Sequence, residues 1–250
     1  MDILDKIVRQ NMEAIENGYY NVNFKFKRKN SLKNTLNNRK FSLIGEIKIA
    51  SPVDGKLRDP EDIENMVEIM ERYCGGISVI TESRNFMGSL KRFVRVREIT
   101  DLPMIMKDFI VSSKQIDAAE RIGADTVLLI FTLAERKYFD LNKMIDYAHK
   151  KGIEVLLEVH TEKEMKKAVE TEADIIGINN RDLSTMKTDI SNTCRILRNF
   201  YVHKPVISES GFSKKEDILR VKNLVNGVLV GKSLMISGSI EEKLRDLSCG

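Results

Sequence analysis

The sequence predicts an α/β fold, a closed (β/α)8 barrel preceded by an N-terminal helical extension. Three observations carry that reading. Eight short apolar runs rich in Ile and Val recur from residue 42 onward: Leu43–Lys48, Ile77–Thr81, Met104–Lys107, Thr126–Ile130, Glu154–Glu158, Ile175–Asn179, Val206–Ser210 and Val228–Val230. Each is nearly continuous in apolar character, as in a strand buried on both faces. Helical stretches separate them, and strict strand–helix alternation implies a parallel sheet with right-handed crossovers. Eight such units in about 210 residues fit a closed ring, the TIM-barrel architecture, better than an open sheet. The 250-residue chain is then a single barrel domain over 1–250, with residues 1–41 as an extension packed on it. That extension is too short to hold a core of its own.

The elements follow in order. A helix is expected near Ile3–Asn17, then a basic segment before the first strand. Pro60 stands at a first-turn position before Glu61-Asp62-Ile63-Glu64, which puts acidic residues at the positive end of the helix dipole. Ser112-Ser113 opens the helix over Lys114–Ile122, and Gly123 closes it as a left-handed cap. Gly152 does the same for Leu141–Lys151. Thr161 with Glu164 forms a capping box, and Ser213 with Glu216 is expected to repeat it.

Composition excludes several classes. Hydrophobic residues make up 42% and charged residues 31%, the balance of a soluble globular chain rather than a disordered or fibrous one. No apolar run approaches the ~18 residues of a membrane helix, and the N-terminus lacks the pattern of a signal peptide. Cys74, Cys194 and Cys249 form neither a disulfide framework nor a Cys-x-x-Cys site, which suits a reducing cytoplasm. His149, His160 and His203 are too dispersed to suggest a metal cluster. His160 reads as loop surface rather than a catalytic base. The net charge of +4 is uneven. Residues 22–41 carry Lys25, Lys27, Arg28, Lys29, Lys33, Arg39 and Lys40 and no acid, so the remainder is slightly acidic. Such a segment could attract nucleic acid or steer a small anionic substrate. Its only aromatics, Phe24, Phe26 and Phe41, make a poor stacking platform.

The strand ends carry the chemistry, because the active site of this architecture lies at the carboxyl ends of the strands. The first strand ends Glu46-Ile47-Lys48, and alternation turns Glu46 and Lys48 to the same inward side. The third ends at Lys107, the fifth at Glu158, the sixth at Asn179 and the seventh at Ser208-Glu209-Ser210. One such residue is ordinarily a rim residue or half of an ion pair. Five polar strand ends on one rim are different: a structural barrel has no reason to desolvate charge repeatedly. Lysines and carboxylates crowded in one mouth shift one another's pKa values, as acid–base catalysis requires. Crowding with Lys48 is expected to lower that of Lys107. Separately, Gly211 after the seventh strand and Gly231-Lys232-Ser233 after the eighth occupy the two loops that bind phosphate in such barrels. Ser51 after the first strand can add a hydroxyl.

These residues resemble the indole-3-glycerol-phosphate synthase family. The likeness runs in order through Glu46-Ile47-Lys48, Ala50-Ser51-Pro52, Ser78-Val79-Ile80-Thr81-Glu82, Phe86-Met87-Gly88-Ser89 and Met106-Lys107-Asp108-Phe109-Ile110. It continues through Gly123-Ala124-Asp125-Thr126-Val127-Leu128-Leu129, Leu157-Glu158-Val159-His160, Gly177-Ile178-Asn179-Asn180-Arg181-Asp182-Leu183, Ser208-Glu209-Ser210-Gly211 and Leu229-Val230-Gly231-Lys232-Ser233-Leu234-Met235. It thus covers about residues 42–235.

The resemblance implies a carbon-carbon lyase (carboxy-lyase) of tryptophan biosynthesis. It would close the ring of 1-(2-carboxyphenylamino)-1-deoxyribulose 5-phosphate with loss of carbon dioxide and water, using no cofactor and no metal. By the same likeness Lys107 is the general acid at the ketose carbonyl. Lys48 holds the anthranilate carboxylate and is a proton donor at dehydration, and Glu158 moves protons with Glu46 as its acidic neighbour. Asn179 and Ser210 position the sugar hydroxyls, Arg181 faces the carboxylate, and Glu209 joins the binding set. Ser51, Gly211, Gly231 and Lys232 surround the phosphate; Phe86, Leu128 and Leu183 form the slot for the aromatic ring. The implied partner is a small phosphorylated substrate, with no nucleic acid and no membrane, in the cytoplasm. Association with other tryptophan-pathway enzymes stays open.

The chain departs from the family pattern at Ile49, where a basic residue is usual. It departs again at Val53-Asp54, where Ser-Lys is commoner, and at Lys232, where a small residue is usual. A rival phosphosugar barrel, phosphoribosylanthranilate isomerase, resembles it less, since that reaction uses a Cys–Asp pair and no Cys lies at a strand end here. A nucleic-acid-binding protein built on segment 22–41 would leave the strand-end lysines and glutamates unexplained.

Overall fold

The computed structural model describes residues 2–26, 30–59, 62–182 and 187–248. Among these, the elements begin with helices α1 (Ile3–Glu16) and α2 (Leu32–Asn38), strand β1 (Ser42–Ile47) and a hairpin of β2 (Ala50–Ser51) and β3 (Gly55–Lys56). Then come α3 (Ile63–Tyr73), β4 (Cys74–Ile80), α4 (Leu90–Ile99), β5 (Met104–Lys107), α5 (Ser113–Ile122), β6 (Thr126–Ile130), α6 (Phe131–Glu135) and α7 (Leu141–Lys150). The chain ends with β7 (Glu154–Val159), α8 (Glu162–Ala168), β8 (Ile175–Asn179), α9 (Ser191–Leu197), β9 (Val206–Glu209), α10 (Lys215–Leu219), β10 (Gly227–Val230), α11 (Lys232–Met235) and α12 (Ile240–Ser248).

β1 and β4–β10 form a closed barrel of eight parallel strands, each beside the next in sequence, with β1 pairing both β4 and β10. The period of two divides the strands' side chains between two cores. Ile44, Ile105, Leu156, Ile207 and Leu229 fill the barrel interior. Val127, Leu129, Val155, Leu157 and Val228 face the ring of helices.

The N-terminal extension covers both ends of the barrel. On α2, Leu32 and Leu36 are fully buried with the interior cluster. Glu154 at the start of β7 accepts from the backbone N–H of Leu32 (2.9 Å) and Lys33 (3.1 Å). These are N–H groups that a helix start leaves without a partner. α1 lies across the opposite end: Asn11 donates to Asp108 Oδ1 at 2.9 Å and to the Phe109 carbonyl at 2.8 Å.

The predicted caps largely hold. Ser112 and Thr161 form complete capping boxes, and Gly123 and Gly152 take positive φ. The box expected between Ser213 and Glu216 instead uses Asp217. Its Oδ2 accepts from the backbone N–H of Ser213 and Lys214 and from Ser213 Oγ, because the helix starts one residue later than the sequence spacing suggests. Pro60, and Lys27, Arg28 and Lys29 of the basic segment, lie outside the described residues. β4 begins at Cys74, three residues before the predicted Ile77, and includes Gly75 and Gly76. A Cβ on Gly75 would stand 2.8 Å from Ser42 Oγ, and one on Gly76 would stand 3.1 Å from both Leu32 Cδ1 and the Pro103 carbonyl. These glycines admit close neighbours inside a strand rather than making a turn.

Candidate active site

The strand ends converge on a cavity of about 990 Å³ at the carboxyl end of the barrel. Glu46, Lys48, Lys107, Glu158, Asn179, Glu209 and Ser210 all line it. β5 ends on Lys107, whose Nζ pairs with Glu209 and lies 3.3 Å from Glu158 Oε2. Lys48 Nζ lies 3.1 Å from Glu46 Oε1. Glu46, Glu158 and Glu209 are each at most 3% exposed, so these charges are held by one another rather than by water.

Two glycines make room for the carboxylates. A Cβ on Gly231 would stand 2.5 Å from Glu46 Oε1, and one on Gly177 would collide with Glu209 Oε1. Glu209 Oε1 is buried without a hydrogen-bond partner among the described residues, an acceptor kept open where buried polar atoms are ordinarily paired.

The electrostatics follow from burial and pairing. Burial alone would push the Lys107 ammonium down, but Glu209, Glu158 and Glu46 outweigh it and hold it above the ordinary lysine range. The lowering expected from Lys48 is therefore not found. Three carboxylates surround Lys107, while Lys48 is occupied by Glu46. Burial raises Glu158, yet Lys107, His160 and an Asn179 hydrogen bond overcome it and leave the carboxyl below its usual range. Glu209 goes the other way: burial, reinforced by Glu158, exceeds the pull of Lys107 and brings the carboxyl up to about 7.

The apolar wall comprises Phe86, Leu128, Ile80, Phe109 and Ile130, with Ile3, Leu4 and Ile7 of α1. The Phe86 and Phe109 rings stand 5.9 Å apart. Glu82 fixes Phe86 by accepting from the backbone N–H of Arg84, Asn85 and Phe86 at 2.7–3.0 Å. Behind Lys107, Asp108 accepts from Thr81 Oγ1 (2.6 Å) and Asn11 (2.9 Å) and meets Tyr20 Oη at 2.9 Å. Burial moves this carboxyl up to about 6.

A neighbouring cavity of about 660 Å³ is lined by Arg181, Gly211, Ser213, Gly231, Lys232 and Ser233, and Lys48 and Ser210 reach it as well. Ser210 and Gly211 both take positive φ, 69° and 100°. A Cβ on Gly211 would meet Ile190 Cγ1 at 2.8 Å, so glycine is required there twice over. Asn180 holds the turn by donating to the Ser210 carbonyl at 3.1 Å and to Ser208 Oγ at 3.0 Å. Lys232 pairs with Asp54 of the loop after β1, and Asp54 Oδ2 accepts from Ser51 Oγ at 3.0 Å. Ser51 thus lines the larger cavity, on its rim, rather than the glycine-lined one.

Leu183 lies outside the described residues. The other predicted site residues line one or both cavities. His160 is corrected: its side chain is 11% exposed, with Nε2 3.4 Å from Glu158 Oε1. His160 directly follows β7, and continuing the strand's alternation turns it to the side of residues 156 and 158. The sequence reading also missed Ile3, Leu4, Ile7 and Phe109. Phe109 was in view beside Lys107, but the apolar stripe of α1 gave no sign of which surface it would cover.

The comparisons with known proteins agree with this geometry. The family model described as indole-3-glycerol phosphate synthase matches residues 3–247. A protein of that name from Caldanaerobacter subterraneus subsp. tengcongensis is 38% identical over 99% of this chain and 100% of its own length. Another from Bacillus cereus is 39% identical over 98% of this chain and 97% of its own. Among solved structures, a chain of the tryptophan synthase α2β2 complex from Pyrococcus furiosus superposes with a TM-score of 0.61 at 15% identity. It covers 82% of this chain and 97% of that one, a likeness of fold alone. With the family model spanning nearly every residue and the strand-end lysines and glutamates gathered in one mouth, this chain belongs to the indole-3-glycerol phosphate synthase family.

Proposed function

We propose that this chain is a carboxy-lyase that converts 1-(2-carboxyphenylamino)-1-deoxyribulose 5-phosphate to indole-3-glycerol phosphate, carbon dioxide and water. The observation that carries the reading is Lys107, an ammonium bracketed by Glu158 and Glu209 at the floor of an apolar-walled cavity beside a glycine-lined one. The aromatic carbon that bears the carboxylate attacks the ketose carbonyl carbon, and Lys107 gives its proton to the carbonyl oxygen. Loss of carbon dioxide returns the bonding pair to the ring and restores aromaticity. The hydroxyl then leaves as water with a proton from Lys48, while Glu158 takes the proton released as the indole double bond forms.

The surroundings suit each step. The carboxylates keep Lys107 charged before substrate arrives, and Glu209, which titrates near neutrality, can return a proton to it. Phe86, Leu128 and Phe109 face the aromatic ring. Lys48 and Arg181 meet the carboxylate that is lost, and Asn179 and Ser210 meet the sugar hydroxyls. Gly211 and Gly231 let backbone amides approach the phosphate, and Lys232 supplies charge. The free thiols of Cys74 and Cys194 suit a cytoplasmic setting. The test is incubation with the carboxyphenylamino substrate while following indole fluorescence. Product must accumulate with one carbon dioxide per indole; absence of both would refute the assignment.

A further inference from the structure

His160 occupies a place that the mechanism above does not use. It follows β7, and its ring lies between two carboxylates: Nε2 is 3.4 Å from Glu158 Oε1 and Nδ1 is 3.9 Å from Glu164 Oε2. Both ring nitrogens are buried, and neither makes a hydrogen bond among the described residues. A buried imidazole without partners is costly, so its position asks for a role.

The two carboxylates are committed differently. Glu164 is a structural anion: Oε1 accepts from Thr132 Oγ1 at 2.6 Å, and Oε2 accepts from the backbone N–H of His160 (2.6 Å) and Thr161 (3.1 Å). Glu158 is divided, with Oε2 3.3 Å from Lys107 Nζ and Oε1 facing His160. The backbone holds the ring in register, since Asn192 donates to the His160 carbonyl at 3.1 Å. The ring also lines a polar cavity that shares Asn179 and Arg181 with the main one and has Arg136, Glu162, Glu164 and Arg195 among its charged walls.

We infer that His160 is a positioning residue for Glu158: its ring, clamped between Glu158 and Glu164, holds Glu158 Oε1 in place and charged while Oε2 meets Lys107. A proton on Nε2 faces Glu158 Oε1, and the committed Glu164 carboxylate lies on the other side of the ring, 3.9 Å from Nδ1. Lys107 lies behind Glu158, so the lysine and the histidine act on the two oxygens of one carboxylate from opposite sides.

Two measurements test this. The first rests on the proposed reaction: the pH dependence of kcat and KM for His160→Gln, whose amide can still donate but cannot titrate. KM stays within about threefold, kcat falls, and the acid limb of the kcat profile moves up by about one pH unit as Glu158 loses the lowering influence of the ring. A profile that superposes on wild type, or a loss confined to KM, overturns the inference. The second needs no substrate: the histidine ring resonances of the intact protein are titrated with and without Glu158→Gln. The His160 midpoint must fall by about one unit when the carboxylate is removed. An unchanged midpoint overturns the positioning role even if the wild-type chain turns substrate over. A shifted midpoint in a chain without turnover upholds the role and rejects only the assigned reaction.

Discussion

Substituting Gly231 by Ala probes the packing that sets up the lysine–glutamate mouth. The added Cβ would stand 2.5 Å from Glu46 Oε1 and 3.2 Å from both Glu46 Cβ and Cδ. Ordinary carbon contacts sit near ~3.5–4.0 Å, so Glu46 must move by roughly 1 Å. Turning the carboxylate alone does not suffice, because the Cβ of Glu46 is also too close. Gly231, at φ −122°, lies outside the left-handed region that favours glycine, so the clash with Glu46 is the effect the substitution introduces. Overpacking of this kind costs about 1–3 kcal/mol, or a Tm fall of roughly 2–12 °C for a chain of this size. Displacing Glu46 also moves Lys48, 3.1 Å away, and a misplacement near 1 Å costs about 100-fold in kcat. Thermal unfolding followed by circular dichroism and turnover followed by indole fluorescence read the two effects separately. Adding Glu46→Ala must recover much of the lost Tm without recovering activity. A Gly231→Ala protein with wild-type Tm and kcat would refute the reasoning, as would a double variant no more stable than the sum of its parts.

Three further outcomes follow from the same structure. Glu209 titrates near 7 in the folded chain against an ordinary value of 4.5, so its contribution to stability is full below about 4.5 and is lost as pH rises through about 7. Glu158, held low, has the opposite sign and loses its contribution as pH falls. Glu209→Gln should therefore weaken the loss of stability between pH 5 and 7.5, read as urea midpoints, and identical slopes would contradict the assignment. Lys232→Met should raise KM for the phosphorylated substrate at least tenfold while changing stability by no more than about 1 kcal/mol, since its pair with Asp54 is partly exposed. An unchanged KM would remove Lys232 from the phosphate set. Leu36→Ala at the closed end of the barrel should cost about 2–5 kcal/mol by denaturant unfolding with kcat retained; a loss of kcat at full stability would place α2 in the catalytic machinery instead.

The barrel was legible because its signals are periodic and local. Strands β5, β6 and β8 match the predicted bounds residue for residue, and the Ser112, Thr161, Gly123 and Gly152 caps follow from short-range hydrogen bonding. The polar strand ends were readable from strand register alone, and Lys48, Lys107, Glu158 and Glu209 line one cavity. What escaped depends on contacts distant in sequence. Gly75 and Gly76 fall outside the predicted strand, and only the folded chain shows Ser42 and Leu32 packed against them. The sign of the Lys107 shift depends on three carboxylates contributed by β1, β7 and β9 outweighing burial. α1 reads as an ordinary amphipathic helix, and only the folded chain shows Ile3, Leu4 and Ile7 walling the cavity. The β2–β3 hairpin is held by two register pairs, too short a signal to stand out in a loop.

The central claim is that Lys107, gathered with Glu158 and Glu209, is the acid of ring closure. The most direct measurement is turnover of the carboxyphenylamino substrate by Lys107→Ala at saturation, with circular dichroism confirming the fold. General-acid loss predicts kcat at least 100-fold below wild type, or about 2.7 kcal/mol in the barrier. A folded variant retaining more than about a tenth of wild-type turnover, a difference of less than about 1.4 kcal/mol, would contradict it.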